Sequence, residues 1–173
     1  MRIISGELGG RRIKIPRNLP IRPTTDLAKE GIFNIVSNKV NLEDLKILDL
    51  FSGSGMVGLE FISRGSKVTF VEKNIQCVKH ISSTLNDLNI KSKIIKQDVF
   101  KFLSNCNTNF DIIFADPPYE HYDLNLFVKN AIKKLNKGGI LAIECSSKET
   151  LEGFDKIAKF GDTNLLYWKV WKG

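Results

Sequence analysis

Four consecutive residues, Asp116-Pro117-Pro118-Tyr119, carry the most specific chemistry in this chain. Each proline fixes φ and lacks an N–H, so the turn they make is stiff and presents acceptors rather than backbone donors. The Asp116 carboxylate and the Pro117 carbonyl can then accept together from one planar –NH2. That pairing favours a more tetrahedral nitrogen, its lone pair drawn out of conjugation and aimed at an electrophile. Tyr119 supplies a flat face on which a base can stack. The tetrad therefore suits chemistry on an amino group conjugated with a ring. The bland alternative is a strand-ending turn, since Asp and Pro are ordinary turn residues.

A second set of residues stands earlier in the chain. Phe51-Ser52-Gly53-Ser54-Gly55-Met56-Val57-Gly58 follows the apolar run Ile47-Leu48-Asp49-Leu50 and has the spacing G-x-G-x-x-G. The first two glycines allow a tight turn and close approach of a ligand, and Gly58 allows close packing of helix on strand. Alone, that pattern fits a nucleotide-binding dehydrogenase as well. Two acids narrow it. Asp49 stands just before the loop, where an amino-acid ammonium can be bound directly or through water. Glu72 ends the run Lys67-Val68-Thr69-Phe70-Val71-Glu72, roughly 20 residues past the first glycine, where a ribose diol is gripped. Asp98, followed by Val99, reads two ways: as an acceptor for an adenine amine, or as the N-cap of the next helix.

These residues need a scaffold that brings them together. From Lys46 onward strands and helices alternate, which predicts a parallel sheet with helices on both faces. Val78, Ile81, Leu85 and Leu88 mark one helix. Lys93-Ile94-Ile95-Lys96 reads as the third strand and Phe110–Ala115 as a buried fourth. Leu124, Phe127, Val128, Ala131, Ile132 and Leu135 form a further helical stripe, which Gly138-Gly139 is expected to end before a fifth strand, Ile140–Glu144. The aromatic tail from Leu165 through Trp171 reads as a last strand, with Trp168 and Trp171 as packing residues. In such a sheet the binding loops gather at the carboxyl ends of the strands, where the strand order reverses. One crevice can therefore hold Asp49, the glycine loop, Glu72, Asp98 and Asp116. A dehydrogenase has no need of Asp-Pro-Pro-Tyr at its fourth strand, whereas a methyltransferase acting on an exocyclic amine does.

The first 22 residues differ in character from the rest. Arg2, Arg11, Arg12, Lys14, Arg17 and Arg22 oppose a single acid, Glu7. Ile3-Ile4 and Ile13-Lys14-Ile15 flank Gly6, Gly9 and Gly10, as in a β-hairpin or loose ribbon. The expected organisation is a basic arm over 1–22 ahead of a compact domain over 23–173. An arm of this kind can lie along phosphates, where Arg and Lys position a nucleic acid without reading its sequence, or simply cover one end of the core. After Arg22-Pro23-Thr24-Thr25-Asp26, with Thr or Asp as N-cap, Ala28, Ile32, Ile35 and Val36 give one apolar helix face.

Composition sets broad bounds. The chain has 173 residues, 42% of them hydrophobic, and a formal charge of +7. That size supports one sizeable core, and the charge fits a polyanionic partner. No apolar run is long enough to span a bilayer, and the N-terminus lacks an export-type apolar segment. Cys77, Cys106 and Cys145 lack metal-ligand spacing and read as reduced cytosolic thiols. His80 and His121 are too scattered to indicate a metal.

Taken in order, Arg2-Ile3-Ile4-Ser5-Gly6, Gly10-Arg11-Arg12, Arg22-Pro23-Thr24-Thr25-Asp26, Lys29-Glu30, Phe33-Asn34, Leu48-Asp49-Leu50-Phe51-Ser52-Gly53-Ser54-Gly55 and Asp116-Pro117-Pro118-Tyr119 resemble the RsmD family, bacterial 16S ribosomal RNA guanine-N2 methyltransferases. The resemblance implies a Rossmann-like class I fold, a mostly parallel seven-stranded sheet with an N-terminal hairpin extension. It implies methyl transfer from S-adenosylmethionine to guanine 966 of 16S rRNA, on an assembled small subunit or late intermediate; a cytoplasmic monomer is the expected form. Carried over by position, it gives Asp116, Pro117, Pro118 and Tyr119 to the guanine. The cofactor falls to Asp49, Phe51, Gly53, Ser54, Gly55, Gly58, Glu72, Asp98 and Val99, and RNA phosphates to Arg2, Arg11, Arg12, Lys14 and Arg22. Lys29 stands where the family usually has Arg, which removes bidentate contact there. Three competing readings are a DNA adenine or cytosine amino-methyltransferase, a protein-glutamine methyltransferase, whose tetrad begins with Asn, and a non-catalytic ribosome-assembly factor.

Overall fold

Five runs of the chain pair in parallel, the inner ones buried on both faces under helices and the edge run Lys93–Lys96 half-exposed. They are β1 (Lys46–Leu50), β2 (Lys67–Glu72), β3 (Lys93–Lys96), β4 (Phe110–Ala115) and β5 (Leu135–Ser146). Two antiparallel strands, β6 (Lys156–Phe160) and β7 (Thr163–Lys169), complete one sheet in the order β3-β2-β1-β4-β5-β7-β6. The computed structural model describes residues 1–21, 26–37, 40–118, 123–149, 151–160 and 163–169. Strand order reverses at β1, which pairs with β2 on one side and β4 on the other, so the loops after β1 and β4 splay apart there.

Among the described residues five helices cover the sheet: α1 (Asp26–Ser37), α2 (Met56–Ser63), α3 (Ile75–Asp87), α4 (Val99–Asn105) and α5 (Leu124–Ile132). Alternate residues of each strand feed opposite faces. Ile47, Val68, Phe70, Ile112 and Phe114 pack with α1, α2 and α3, whereas Leu48, Leu50, Val71, Ile113 and Ala115 pack with α4 and α5. Side chains cap the later helices, with Asn74 accepting from the Gln76 and Cys77 N–H groups before α3, and Asp123 from the Leu126 N–H before α5.

The expected end of α5 is too late. The helix stops at Ile132, and Leu135, placed on its stripe by periodicity, instead opens β5 opposite Phe110. Gly138 and Gly139 do not end a helix; they lie inside β5, where the register shifts between Phe110 and Ile112. Gly138 has φ 76, a conformation that glycine adopts without strain. An irregularity of this kind resembles a helix stop in sequence because both favour a glycine at positive φ. The strand β6 has no counterpart in the sequence reading.

The N-terminal segment forms the expected loose ribbon. Arg2 bridges Arg12 in antiparallel fashion, and the Ile3 and Ile13 N–H groups donate to the Arg11 and Met1 carbonyls at 2.9 and 2.8 Å. Ile3 and Ile13 are buried in the same cluster as α1 and α2. Beneath them lies a fully buried ion pair. Lys29 Nζ donates to the Arg2 carbonyl at 2.8 Å and sits 3.5 Å from Glu60 Oε1, with both side chains 0% exposed. Glu60 also accepts the Ile4 N–H at 2.7 Å and meets Arg64 at 2.6 Å, whose guanidinium lies 4.0 Å from the Phe33 ring centroid. Lys29 is therefore a pin between ribbon, α1 and α2.

Candidate active site

A crevice of about 360 Å³ opens at the carboxyl ends of the strands, at the β1–β4 switch point. Phe51, Gly53, Glu72, Val99, Asp116, Pro117 and Pro118 line it, all of them residues singled out in the sequence. A smaller recess of about 30 Å³ shares Phe51, Gly53 and Asp116 and adds Asp49 and Ser54.

The loop between β1 and α2 is built to hold carboxylates. Ser52 Oγ donates to the Asp49 carbonyl at 2.7 Å and accepts the Val71 N–H at 3.1 Å, tying the loop across β1 and β2. Gly53 and Gly55 have φ 53 and 76, turning the chain back into α2. Phe51 also has φ 56, uncommon for a non-glycine residue, and its ring packs 5.8 Å from that of Phe127. Glu72 Oε2 accepts the Gly53 N–H at 2.9 Å while Oε1 accepts the Asn74 N–H at 2.7 Å. Each oxygen retains a second lone pair, so Glu72 is fixed in place and can still accept from a diol.

Asp49 is 1% exposed, and its Oδ2 accepts the Gly58 N–H at 3.1 Å. Burial pushes its carboxyl up to about 8, the Gly58 N–H opposes that rise, and the Glu72 and Asp116 carboxylates add to it. Three acids thus face one small volume, an arrangement that a cationic ligand relieves. Gly58 itself lines neither cavity. A Cβ there would lie 2.1 Å from Phe70 Cε1 and 2.8 Å from Asp49 Oδ2, so glycine is what lets α2 settle on β2 and present its N–H to Asp49. Gly55 likewise shapes the loop without lining a cavity.

Of the two readings of Asp98, the structure has the cap: Oδ1 accepts the Phe100 and Lys101 N–H groups at 3.0 and 3.2 Å. Val99 faces the crevice and Asp98 does not line it. Asp116 is half-buried, Pro117 buried and Pro118 exposed at the mouth. Tyr119, Arg22, Thr24, Thr25, His121 and Trp171 lie outside the described residues. Arg2, Arg11, Arg12 and Lys14 are exposed on the ribbon and line neither cavity. The chain that continues from it does, through Pro20 and Ile21.

Five crevice residues escaped the sequence reading: Pro20, Ile21, Lys73, Asn74 and Cys77. Lys73 and Asn74 had a signal, since they directly follow the diol-type acid at the end of β2. Cys77 lies one helical turn further on, buried, with its thiol pushed up to about 11 mainly by burial, so it serves as wall rather than nucleophile. Pro20 and Ile21 had none. Among the described residues no group of His, Cys, Asp and Glu is arranged to hold a metal ion, and no helix is long and apolar enough to cross a membrane.

A model of the family described as conserved hypothetical protein 95 matches residues 1–169. Ribosomal RNA small subunit methyltransferase D of Escherichia coli strain K12 is 31% identical over 146 residues, which cover 83% of this chain and 71% of that protein. A hypothetical protein of Thermus thermophilus, TTHA0928, superposes with a TM-score of 0.88 at 23% identity, covering 98% of this chain and 99% of that one. The 16S rRNA N2 G1207 methyltransferase of T. thermophilus, solved with AdoMet and guanosine, gives a TM-score of 0.70 at 21% identity over 84% of this chain and 43% of its own. The Rossmann-like class I methyltransferase fold expected from the sequence is the fold observed.

Proposed function

Because the chain belongs to the conserved hypothetical protein 95 family, the RsmD family that its motifs resemble, we propose that it transfers a methyl group from S-adenosylmethionine to the exocyclic N2 of a guanine in 16S ribosomal RNA. The observation that carries this reading is the placement of Asp116-Pro117 on the wall of the same crevice as the carboxylate-holding glycine loop. The crevice fits the cofactor: Glu72 accepts from the ribose hydroxyls, Asp49 faces the ammonium, and Phe51 and Val99 give apolar walls. Gly53 and Ser54 let the backbone approach. What S-adenosylmethionine supplies when bound is an electrophilic methyl on a sulfonium.

The chain's own residues then orient the amine. Asp116 and the Pro117 carbonyl accept its two N–H bonds, holding the lone pair toward the crevice, while Pro118 keeps the turn rigid and Tyr119 stacks on the base. As the nitrogen gains positive charge, the Asp116 carboxylate lies against it, and the proton passes to that carboxylate or to water. A strongly basic side chain is not required. Arg2, Arg11, Arg12, Lys14 and Arg22 meet phosphates. The finer reading places the reaction at guanine 966, on an assembled small subunit or late intermediate, by a cytoplasmic monomer.

The test is transfer of labelled methyl from S-adenosylmethionine to undermethylated small subunits, free 16S RNA and duplex DNA, with nucleoside analysis. N2-methylguanosine on subunits is expected. Asp116→Ala should lower the rate by about 10²–10³-fold with cofactor binding kept. Label in DNA would overturn the RNA assignment, and equal loss of rate and cofactor binding would overturn the role given to Asp116.

A further inference from the structure

A second depression, of about 390 Å³, lies at the opposite end of the sheet, where β1, β2 and β3 begin. Lys46, Lys67, Lys91 and Lys93 line it, all exposed. Lys46 and Lys67 are direct cross-strand partners in register, and Lys93 starts the next strand over. Adjacent strands are about 4.8 Å apart, and like charges directly opposite each other are destabilising. The fold thus gathers four exposed lysines on one rim, a clustering that core packing does not call for.

Structural explanations account for only part of it. Edge-strand protection suits Lys91 and Lys93, since β3 ends the sheet, but not Lys46 and Lys67, which open interior strands. Asp44 pairs with Lys67 at 2.7 Å, with both side chains largely exposed, so that pair is weak. Asp111 accepts the Lys46 backbone N–H at 2.8 Å and the Asn136 amide at 2.7 Å, leaving the Lys46 ammonium outside that contact. Lys137 extends the positive row to the start of β5. The crevice end has the reverse polarity, with the Glu72 and Asp116 side chains on its wall. The two ends also connect, because the ribbon tip is bonded to Ser63, through the Glu7 and Leu8 N–H groups, three residues before Ser66 on the wall of the depression.

We propose that this strand-start rim is a second contact surface for the phosphate backbone of the substrate RNA, engaged together with the N-terminal ribbon. The inference rests on the RNA methyl-transfer reading. Exposed ammonium groups on flexible stems suit phosphates as point charges, without sequence readout. The surface would therefore add affinity for a large folded RNA and contribute nothing to the choice of base.

The experiment replaces Lys46, Lys91 and Lys93 together by Gln, leaving Lys67 with Asp44, and by Arg in a parallel variant. Binding of wild type and both variants to small subunits and to 16S RNA is followed against salt, with kcat, KM and cofactor affinity alongside. Each lost phosphate contact lowers the slope of log K against log salt by about 0.7–0.9, so the Gln variant should lose about 2–3 in slope. KM for subunits should rise with kcat and cofactor affinity held, and the Arg variant should behave as wild type. Unchanged slope and KM in the Gln variant, with wild type methylating subunits normally, would overturn this surface alone. An equal loss in the Arg variant would overturn it too. Wild-type protein that methylates no RNA would instead remove the reading beneath it.

Discussion

The cofactor crevice and the N-terminal ribbon handle charge in opposite ways. In the crevice the acidic groups are buried and fixed: Glu72 is held by two backbone N–H groups, and Asp49, protonated below about pH 8, by one. On the ribbon Arg11, Arg12 and Lys14 are exposed, and what is buried beneath them is the Lys29–Glu60 pair that fastens the ribbon down. A small cation meets a preorganised, desolvated set of acceptors, where each interaction is strong. A polyanion meets solvated cations that follow its backbone, where each contact is weak and salt-sensitive. On the proposed reading, buried acids in the first region bind, and buried charge in the second positions the binders.

The largest effect should come from breaking the pin. Glu60→Leu leaves Lys29 buried without its carboxylate and deprives the Ile4 N–H of its acceptor. Loss of one member of a buried pair costs about 3–5 kcal/mol, which urea unfolding would read. Limited proteolysis should show cleavage within the ribbon well before the sheet opens. Cofactor affinity should be largely kept, because Asp49 and Glu72 hang from β1 and β2. A variant that loses cofactor affinity as much as ribbon protection would show that the two regions are not separately held.

A smaller effect, of opposite sign in two measurements, is expected at Asp49. Its carboxyl stands at about 8 in the folded chain against an ordinary value of 3.8. Between those values the folded state keeps a proton that the unfolded state has released. Stability of the cofactor-free protein should therefore fall as pH rises from about 4 to about 8, then level off. Asp49→Asn keeps an acceptor for the Gly58 N–H and removes that ionisation, so its melting temperature should exceed that of wild type at pH 9. Its affinity for S-adenosylmethionine should nevertheless be lower, and the rise in wild-type affinity with pH toward 8 should vanish. Calorimetric titration and thermal melts across pH check both halves. A variant that is less stable than wild type at pH 9 would mean that Asp49 is held as a stabilised anion.

What the sequence made legible follows the range of each signal. Short strands announce themselves locally, so β1 to β4 and the acids at their ends were readable, as were the Gly58 packing and the Asp98 cap. Signals that depend on partners distant in sequence were not. Leu135 fits a helical stripe with Ala131 and Ile132, and only pairing with Phe110 makes it a strand residue. The run Lys156–Phe160, whose Ile157, Ala158 and Phe160 are broken by Lys159, becomes β6 because β7 offers it an edge. Lys29 read only as a lysine where the family usually has arginine, since nothing local says that Glu60 and the Arg2 carbonyl close around it. Pro20 and Ile21 reach the crevice through the path of the chain after the ribbon, which no local pattern announces.

The smallest effect should come from the exposed side of the comparison. Arg11 and Arg12 are adjacent in sequence and both exposed, so neutralising them together as Arg11→Gln and Arg12→Gln should leave folding within about 0.5 kcal/mol of wild type. Cofactor affinity should be unchanged, since neither residue lines the crevice. RNA binding should weaken at low salt and converge on wild type as salt is raised. The slope of log K against log salt should fall by about 1.4–1.8 if each arginine neutralises one phosphate. The double Arg→Lys variant should recover the slope, because a point charge is enough for backbone contact, whereas base readout through a guanidinium fork would not be recovered. A salt slope unchanged in the Gln variant would take these arginines out of the interface and leave the ribbon as a cover for α1 and α2.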